Sequence, residues 1–299
     1  MRKITIEDVA AKAGVSVSTV SRVLNNNPKV DKALSSRVQE TIDALGYVPN
    51  AGARYIRSGA SDLISMIIPS PSNQFFAQIL EGAMDTALEH EYKIIAYSSD
   101  GSEQKDIKCL HSVASSPSSG LIYCPISVAS TEHLNVVLSK KLPVVIAARR
   151  ATMKGLPHVY VDNVKGCYTA TRFLLVQGRR NIAFFAGFWE KPANDVEGLL
   201  DIFYSEKKGA YSSLDRLEGY MEALKEFGVE FKSSLLHMTE YDYAGGYKAV
   251  KEFLPKMVEF DAVICSNDWV ASGVLQALQE QNISVPEDVS IIGYDNAQV

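Results

Sequence analysis

The stretch ITIEDVAAKAGVSVSTVSRVL, residues 4–24, predicts two short helices joined by a tight turn. Thr5 is placed to cap the first helix, and Asp8 three residues later forms a variant of the capping box. Gly14 can end that helix because a glycine adopts the left-handed conformation that reverses the chain. Ser16 can then cap a second helix that runs to the end of the stretch. This arrangement is typical of a helix-turn-helix.

The second helix carries the candidate recognition surface. Val20, Val23 and Leu24 share one face and are predicted to pack inward, which leaves the opposite face for base edges in the major groove. Arg22 can donate two hydrogen bonds to guanine, and Val17 can contact a thymine methyl group. An ordinary helical hairpin with a solvated serine face is the alternative. The candidate DNA-binding residues of this head are Thr5, Ser16, Val17, Ser18, Thr19, Ser21, Arg22 and Asn25.

A third helix is predicted between Asp31, which can cap it, and Gly46, which can end it. Apolar residues repeat every three or four positions from Leu34 to Leu45, so this helix would close a small core over the first two. Residues 48–60 follow as a linker with a short potential helix between a proline and a glycine.

The segments AAKAGVSVSTVSRVLNNNPKV (10–30) and ALGYVPNAGARYIRSG (44–59) resemble the DNA-binding region of the lac repressor (LacI/GalR) family. The resemblance implies that the linker is a hinge helix that orders on the operator, pairs with its dimer mate and wedges a side chain into the minor groove. Gly52, a weak helix former, predicts a less ordered hinge off DNA. Ile56 replaces the leucine that usually forms the wedge. Its alternative role is to pack the head against the body. By position the hinge contacts are Ala53, Arg54, Ile56 and Arg57.

From Asp62 onward, apolar strands alternate with amphipathic helices. This order predicts two parallel sheets with helices on both faces, and therefore two lobes. The first series has strands at 63–68, 92–97, 120–123, 143–147 and 158–161, with a helical stripe of Phe76, Ile79, Leu80, Ala83, Met84, Ala87 and Leu88. The second series has strands at 180–186, 235–238, 262–266 and 289–293 and helices at 216–227, 245–253 and 270–281.

This body resembles the sensor domain of the same family, a two-lobed fold like the periplasmic sugar-binding proteins. The resemblance is carried by IIPSPSNQFFAQILEG (67–82), VDNVKG (161–166), RLEGYMEAL (216–224), ICSNDWVASG (264–273) and VPEDVSIIGYDN (285–296). It implies an effector cleft between the lobes, where strand ends meet. Aromatic walls with arginine, amide and carboxylate groups favour a sugar over a purine. The implied effector-binding residues are Phe75, Phe76, Arg216, Tyr241, Asn267, Asp268 and Asp295.

Several of these residues have structural alternatives. Phe76 is in phase with the apolar stripe and could belong to the core. Phe75 would then be the better candidate for the wall of the cleft. Asp268 could cap a helix that begins at Trp269. Arg216 could pair with a neighbouring carboxylate at the surface, and Asp295 could serve only to form a turn.

The domain organisation follows from these patterns: an all-α head at 1–47, a hinge at 48–60 and an α/β effector-binding and dimerisation domain at 61–299, with lobe one near 61–162 and lobe two near 163–293. The chain departs from the family in two places. Residues 186–214 form a longer connection than is usual in the family. The extra length could form a lid or a dimer-surface feature. The family also continues for a few dozen residues beyond position 299, so we expect a C-terminally short lobe one.

Composition restricts the function further. No apolar run approaches the about 20 residues that cross a bilayer, and the polar start lacks the apolar segment of a signal peptide, so we expect a cytoplasmic protein. The four cysteines lie far apart and are expected to be reduced. The sequence has no nucleophile elbow, phosphate-binding loop or metal-ligand spacing, so we expect no catalytic residue, metal or cofactor.

Charge is unevenly distributed along the chain. Residues 1–60 contain nine basic and five acidic side chains, a net charge of +4; because the whole chain carries -5, the remaining residues carry -9. A basic head that contacts phosphates and an acidic sensor body would show this asymmetry. The sequence therefore predicts a ligand-responsive transcriptional repressor that binds a palindromic double-stranded DNA operator as a homodimer. A small-molecule binding protein whose head has lost DNA binding is the alternative.

Overall fold

The computed structural model describes residues 4–25, 27–48, 61–127, 132–150, 155–205, 208–254 and 259–298. The chain divides into two compact units, Met1–Ser61 and Asp62–Val299. The hinge candidates Ala53, Arg54, Ile56 and Arg57 lie outside the described residues, so their DNA contacts stay predictions.

Within the part that the structure describes, the first unit contains three helices: α1 (Ile6–Ala13), α2 (Val17–Leu24) and α3 (Lys32–Leu45). Both halves of the predicted capping box are present: Thr5 Oγ1 accepts from the Asp8 amide, and the Asp8 side chain accepts from the Thr5 amide at 2.9 Å. The caps predicted at the other ends, Gly14 and Gly46 in the left-handed region, and Ser16 and Asp31 at helix starts, are confirmed. The core of this unit is formed by Val9, Val20 and Val38, which are fully buried, with their apolar neighbours.

The second unit contains two parallel sheets, as the alternation of strands and helices predicts. Five strands form one sheet in the order β2-β1-β3-β4-β5, and four form the other in the order β7-β6-β8-β9. The strands are β1 (Leu63–Ile68), β2 (Lys93–Ser98), β3 (Gly120–Tyr123), β4 (Val144–Ala147), β5 (His158–Val159), β6 (Ile182–Phe188), β7 (Leu236–Glu240), β8 (Ala262–Cys265) and β9 (Ser290–Ile292).

Helices cover both faces of each sheet, and four separate core clusters lie between helices and strands. No helix within the described ranges is long and apolar enough to cross a bilayer. Three of the four cysteines are buried, and all four are free thiols, as expected. The helices are α4 (Gln74–Glu89), α5 (Glu103–Ser115), α6 (Asn135–Leu138), α7 (Asn163–Val176), α8 (Val196–Tyr204), α9 (Ser212–Glu226), α10 (Tyr243–Phe253) and α11 (Asp268–Gln279), with single 3-10 turns at Glu132–Leu134, Lys208–Ala210 and Ser233–Leu235.

The structure corrects two expectations. The predicted strand 158–161 is only His158–Val159, because β5 pairs with β4 over just two residues. In α4, Met84 and Leu88 are exposed, since they lie about 80° and 120° around the helix from the buried Phe76. Within the long connection, α8 packs Leu199 and Phe203 into the core of lobe two, and the role of the segment as a lid or a dimer-surface feature stays a prediction.

Candidate functional site

The candidate recognition surface of the head is the outer face of α2. Arg22 and Ser18 are exposed there, whereas Val20 and Val23 are buried beneath them. The prediction that Val17 points outward is only partly right, because it is half-buried and packs against the head core. Leu24, expected inside, is also half-buried. Thr19 and Ser21 are half-buried, and Asn25 is the exposed C-cap of the helix.

Ser16 organises the N-terminal end of this surface. Its hydroxyl accepts from the amide of Thr19 at 3.2 Å and lies 2.8 Å from the hydroxyl of Ser18 and 2.9 Å from that of Thr19. Three hydroxyls therefore cluster at the start of α2, where the helix dipole and the unpaired amides favour a phosphate. Thr5 is already engaged with Asp8 in the capping box.

The second candidate site is a cavity of about 200 Å³ between the two sheets of the sensor unit. Its walls come from segments that follow the carboxyl ends of strands in both sheets, where ligands of parallel α/β sheets bind. Phe75 and Phe76 follow β1, Tyr241 follows β7, and Asn267 follows β8. The full lining is Asn73, Phe75, Phe76, Ala148, Arg149, Val161, Asn163, Trp189, Ser212, Arg216, Tyr241, Asn267, Tyr294 and Asp295.

Arg216 lies at the polar end of this cavity and binds the polar groups around it. It is 6% exposed, which excludes the expected alternative of a surface ion pair. Its Nε donates to Asn163 Oδ1 at 2.9 Å, its Nη1 donates to the carbonyl oxygen of Ser266, and its Nη2 lies 3.5 Å from Asp295 Oδ1. The ring of Tyr294 stacks on the guanidinium at 3.9 Å. A buried arginine needs such partners, because an unpaired buried charge is strongly destabilising.

Asp295 lies in a turn and also lines the cavity. Its backbone is left-handed, with φ at 91°, as a turn requires. Its side chain is 10% exposed and faces Arg216 in the cavity. Burial raises the pKa of Asp295 above its ordinary value, and the guanidinium of Arg216 opposes that rise.

Asn267 lines the cavity and also caps a helix, whereas Asp268 does not line the cavity. Asn267, not Asp268, is the N-cap of α11, and its Oδ1 accepts from the Val270 amide at 2.8 Å. Asp268 is the first residue of that helix and does not line the cavity. Its Oδ2 accepts from the Ala297 amide at 2.6 Å, so it secures the segment after β9. The alternative of Asp268 as a cap is therefore wrong.

Aromatic rings form the opposite wall of the cavity. Phe75 and Phe76 meet edge to face at 5.1 Å, Phe76 lies 6.3 Å from Trp189, and Trp189 lies 5.5 Å from Tyr241. Phe76 is nearly buried and belongs to a core cluster, yet it also lines the cavity beside Phe75. Phe76 therefore belongs to the core and also forms part of the cavity wall.

Several lining residues were not expected from the sequence. Arg149 donates from Nε to the carbonyl oxygen of Pro125 at 3.1 Å, and from Nη1 to the hydroxyl of Ser212, which joins lobe one to lobe two. Trp189 lies in the long connection, between Phe76 and Tyr241 in the aromatic wall. Arg149 and Trp189 both follow strand ends, β4 and β6, and that position was the available signal. Asn73, Asn163 and Tyr294 lie in the segments that carry the family resemblance, whereas Ser212 had no distinguishing pattern.

Comparisons with known proteins place this geometry in a family. The model described as "Bacterial regulatory proteins, lacI family" matches residues 5–50, and that of "Periplasmic binding proteins and sugar binding domain of LacI family" matches residues 61–299. The chain belongs to the LacI family. The resemblance expected from the sequence, and the fold of a helix-turn-helix head with a two-lobed parallel α/β sensor, are thereby confirmed.

Individual relatives agree with this assignment. Catabolite control protein A of Priestia megaterium is 33% identical over 99% of this chain and 83% of its own length, and the transcriptional repressor CytR of Escherichia coli K12 is 29% identical over 98% and 80%. The LacI-family member described here is accordingly a transcriptional regulator and not an enzyme.

Solved structures show the same architecture. A transcriptional regulator CelR in complex with cellobiose matches with a TM-score of 0.65 at 27% identity, over 99% of this chain and 84% of that one. The lac repressor dimer bound to operator and an anti-inducer matches with a TM-score of 0.81 at 20% identity, over 99% and 84%, which shows the shared fold.

Proposed function

We propose that this LacI-family regulator is a cytoplasmic repressor that binds a two-fold symmetric operator as a homodimer and responds to a sugar in the interlobe cleft. The observation that carries the proposal is the buried Arg216 cluster facing an aromatic wall across the cavity between the sheets. Directional donors and acceptors on one side suit hydroxyl groups, and aromatic faces suit the apolar face of a sugar ring.

The effector site proposed here comprises Phe75, Phe76, Arg216, Tyr241, Asn267 and Asp295, together with Arg149, Asn163, Trp189, Ser212 and Tyr294. The relatives support a sugar, since one solved neighbour holds cellobiose and the matched sensor family is described by sugar binding. The ligand acts by stabilising one arrangement of the lobes, and it can shift DNA binding only by its differential affinity for the two arrangements.

For DNA recognition, we assign base contacts to Val17, Ser18 and Arg22, and phosphate contacts to the hydroxyls of Ser16 and Thr19 at the start of α2. The exposed guanidinium of Arg22 suits a guanine in the major groove. The hinge contacts of Ala53, Arg54, Ile56 and Arg57 are proposed from the family resemblance alone. Two heads related by two-fold symmetry impose pseudo-palindromy on the operator.

Selection of bound fragments from a random duplex pool, at low and at near-physiological salt, tests the DNA-binding part. We expect enrichment of a palindrome by the wild-type chain. Arg22→Ala should cost about 1 to 3 kcal/mol and relax one base position in each half-site. The matched control is Arg172→Ala, a half-exposed arginine in lobe two, which should leave the selected sequence unchanged. Binding that enriches no sequence and disappears with salt would contradict the proposal in favour of a ligand-binding protein without an operator.

A further inference from the structure

The segment that follows β6 reaches from lobe two to lobe one. Trp189 and Glu190, the first two residues after that strand, both contact residues 101–103, where α5 of lobe one begins. The contact of Glu190 joins positions 87 residues apart in the sequence. We call Trp189 and Glu190 the latch. The two lobes are therefore joined here by side chains that come from the long connection.

The indole ring of Trp189 lies against the backbone of Gly101. This glycine has a left-handed backbone, with φ at 65°, and an added Cβ would lie 2.5 Å from Trp189 Cε3 and 3.0 Å from Cδ2. The ring thus occupies the space that any side chain at position 101 would need. Trp189 also packs against the core cluster of lobe one that contains Met66 and Phe76. An aromatic side chain of lobe two is accordingly seated in lobe one.

Glu190 caps a helix of the other lobe. Ser102 is the N-cap residue of α5, but its side chain makes no capping hydrogen bond. The amide of Glu103 instead donates to Glu190 Oε1 at 3.2 Å. The first amides of a helix have no partner within the helix, and a carboxylate at that end also interacts favourably with the helix dipole. Lobe two therefore supplies the cap that α5 does not obtain from its own N-cap residue.

Each side of the latch is fixed within its own lobe. On lobe two, the Nζ of Lys191 lies 3.3 Å from Glu240 Oε1 at the end of β7. On lobe one, the buried Asp106 in the first turn of α5 accepts from the hydroxyl of Tyr123 through Oδ2, and its Oδ1 has no hydrogen-bond partner among the described residues. A movement that separates the lobes must therefore pull the ring from the glycine and the carboxylate from the amide.

We propose that Trp189 and Glu190 form an interlobe latch that holds the two lobes in the arrangement that the structure shows and opens when the lobes separate. The latch stabilises one arrangement through contacts of the protein itself, so it sets the starting population that a ligand shifts. That regulatory consequence rests on the proposed function, whereas the latch itself is tested without sugar or DNA. The inference also gives a role to the start of the long connection.

Quenching of Trp189 fluorescence by acrylamide tests the contact with Gly101. The chain has two tryptophans, so Trp269→Phe leaves Trp189 as the reporter in the full chain. Gly101→Ala places a methyl group where the indole lies, and we expect the quenching constant to rise about threefold or more as the latch opens. The matched control is Gly228→Ala in lobe two. Its φ of 64° imposes the same backbone strain, but an added Cβ meets nothing within 4 Å, so quenching should stay unchanged.

Hydrogen exchange at the start of α5 tests the cap. Glu190→Ala should raise the exchange rate of the Glu103 amide about threefold or more, because it removes the acceptor of that amide. Glu190→Gln keeps an oxygen acceptor and should show a smaller rise. Glu197→Ala makes the same truncation at an exposed position of the same connection and is the control. It should leave the exchange rate of the Glu103 amide as in the wild type.

Distances between spin labels on the two lobes show whether opening the latch separates the lobes. Lys140→Cys in lobe one and Lys248→Cys in lobe two place labels at exposed positions. Cys109→Ser removes a half-buried native thiol, and an excess of unlabelled chain suppresses signals between chains. We expect the distances to shift to longer values when Gly101→Ala or Glu190→Ala is added, and to stay the same in the glycine control.

Unchanged distances in both latch variants would overturn the inference, as would a Trp189 that acrylamide already quenches as freely in the wild-type chain as in the unfolded chain. Failure of the proposed function looks different. A chain that selects a palindromic operator while its Trp189 is freely quenched keeps the proposed function and loses the latch, and a chain whose latch opens as expected but that selects no operator shows the reverse. The thermal unfolding midpoint of each variant separates opening of the latch from loss of folding.

Discussion

At the scale of single residues, Arg216 determines the polar end of the cleft. Its guanidinium donates hydrogen bonds to Asn163 and Ser266 and forms an ion pair with Asp295. The ring of Tyr294 stacks on its face. A lysine would supply the same charge from a single point without the planar fork that these partners require. The geometry of the guanidinium, as well as its charge, therefore shapes the site.

We expect Arg216→Lys to weaken sugar binding by about tenfold or more while the chain still folds, because the variant keeps a cation beside Asp295. Arg216→Ala should instead lower the free energy of unfolding by about 3 to 5 kcal/mol, since it leaves a buried carboxylate without its partner. Calorimetric titration and urea unfolding measure the two effects. Unchanged sugar affinity in the lysine variant would mean that the ligand binds elsewhere.

Asp106 makes the stability of the folded chain depend on pH, and the direction of that dependence follows from its pKa. Burial, opposed by the hydroxyls of Tyr123 and Ser99, raises the pKa of Asp106 from its ordinary value of 3.8 to about 6. The folded state thus binds this proton more tightly than the unfolded state does, and the contribution of Asp106 to stability falls as pH rises from about 4 to about 6. Above that range the contribution is constant.

The variant Asp106→Asn removes this titration. Its stability relative to the wild type should therefore rise between about pH 4 and pH 6, by up to about 3 kcal/mol for a pKa of about 6. Urea unfolding of both proteins at a series of pH values measures the difference. Asp201→Asn, at an exposed position, is the control and should show no such trend. A parallel pair of pH profiles for Asp106→Asn and wild type would contradict a raised pKa.

The sequence could predict some of these residues because their signals are local. The capping pair Thr5 and Asp8 is defined by a spacing of three residues, and Arg216 lies in a motif that resembles the family. Asp106 gave no such signal, since it resembles any carboxylate in the first turn of a helix. Its burial and its unpaired oxygen depend on Tyr123, which is distant in the sequence and near only in the fold.

At the scale of elements, the second lobe depends on close packing of α10 against α11. A Cβ added at Gly246 would collide with the backbone carbonyl of Val270, and one added at Gly273 would collide with that of Tyr243. The two helices therefore pass each other with backbone nearly touching backbone, and neither neighbour can move as a side chain would. This packing holds the start of α11, where Asn267 enters the cleft.

We expect Gly246→Ala to lower the free energy of unfolding by about 3 kcal/mol or more, because backbone atoms must separate to admit the methyl group. The matched control is Gly82→Ala in α4, where an added Cβ meets nothing within 4 Å. That change should raise the stability by about 0.5 to 1 kcal/mol through helix propensity. Urea unfolding measures both, and similar small effects at the two positions would contradict the close packing of α10 and α11.

The order and type of the elements could be predicted from apolar periodicity, since every strand and helix predicted within the described residues has a counterpart in the structure. Their ends were less predictable. The helix expected at 216–227 begins at Ser212, because the preceding polar residues fold into its first turn and Ser212 contacts Arg149. Helix α8 lay in a segment expected to be a lid or a dimer-surface feature, and only the core position of Leu199 and Phe203 shows its packing role.

At the scale of the whole molecule, the two units carry separable functions. The small helical unit presents an exposed face of α2 and a basic net charge, and the larger unit encloses a cleft between two parallel sheets. Because the chain belongs to the LacI family, the two units together form a transcriptional regulator. In the account proposed here, sugar binding in the cleft and operator binding by the head are coupled, and thermodynamic linkage requires that the coupling be reciprocal.

The measurement that tests this coupling most directly is the dissociation constant of the full chain for its selected duplex, with and without a saturating concentration of the sugar that binds best. We predict a change of about 5- to 150-fold, and the duplex should change the affinity for the sugar by the same factor. Arg216→Lys at the same sugar concentration should show little of this change. If the sugar binds in the cleft while the dissociation constant for the duplex stays the same, the cleft does not control the head and the account is wrong.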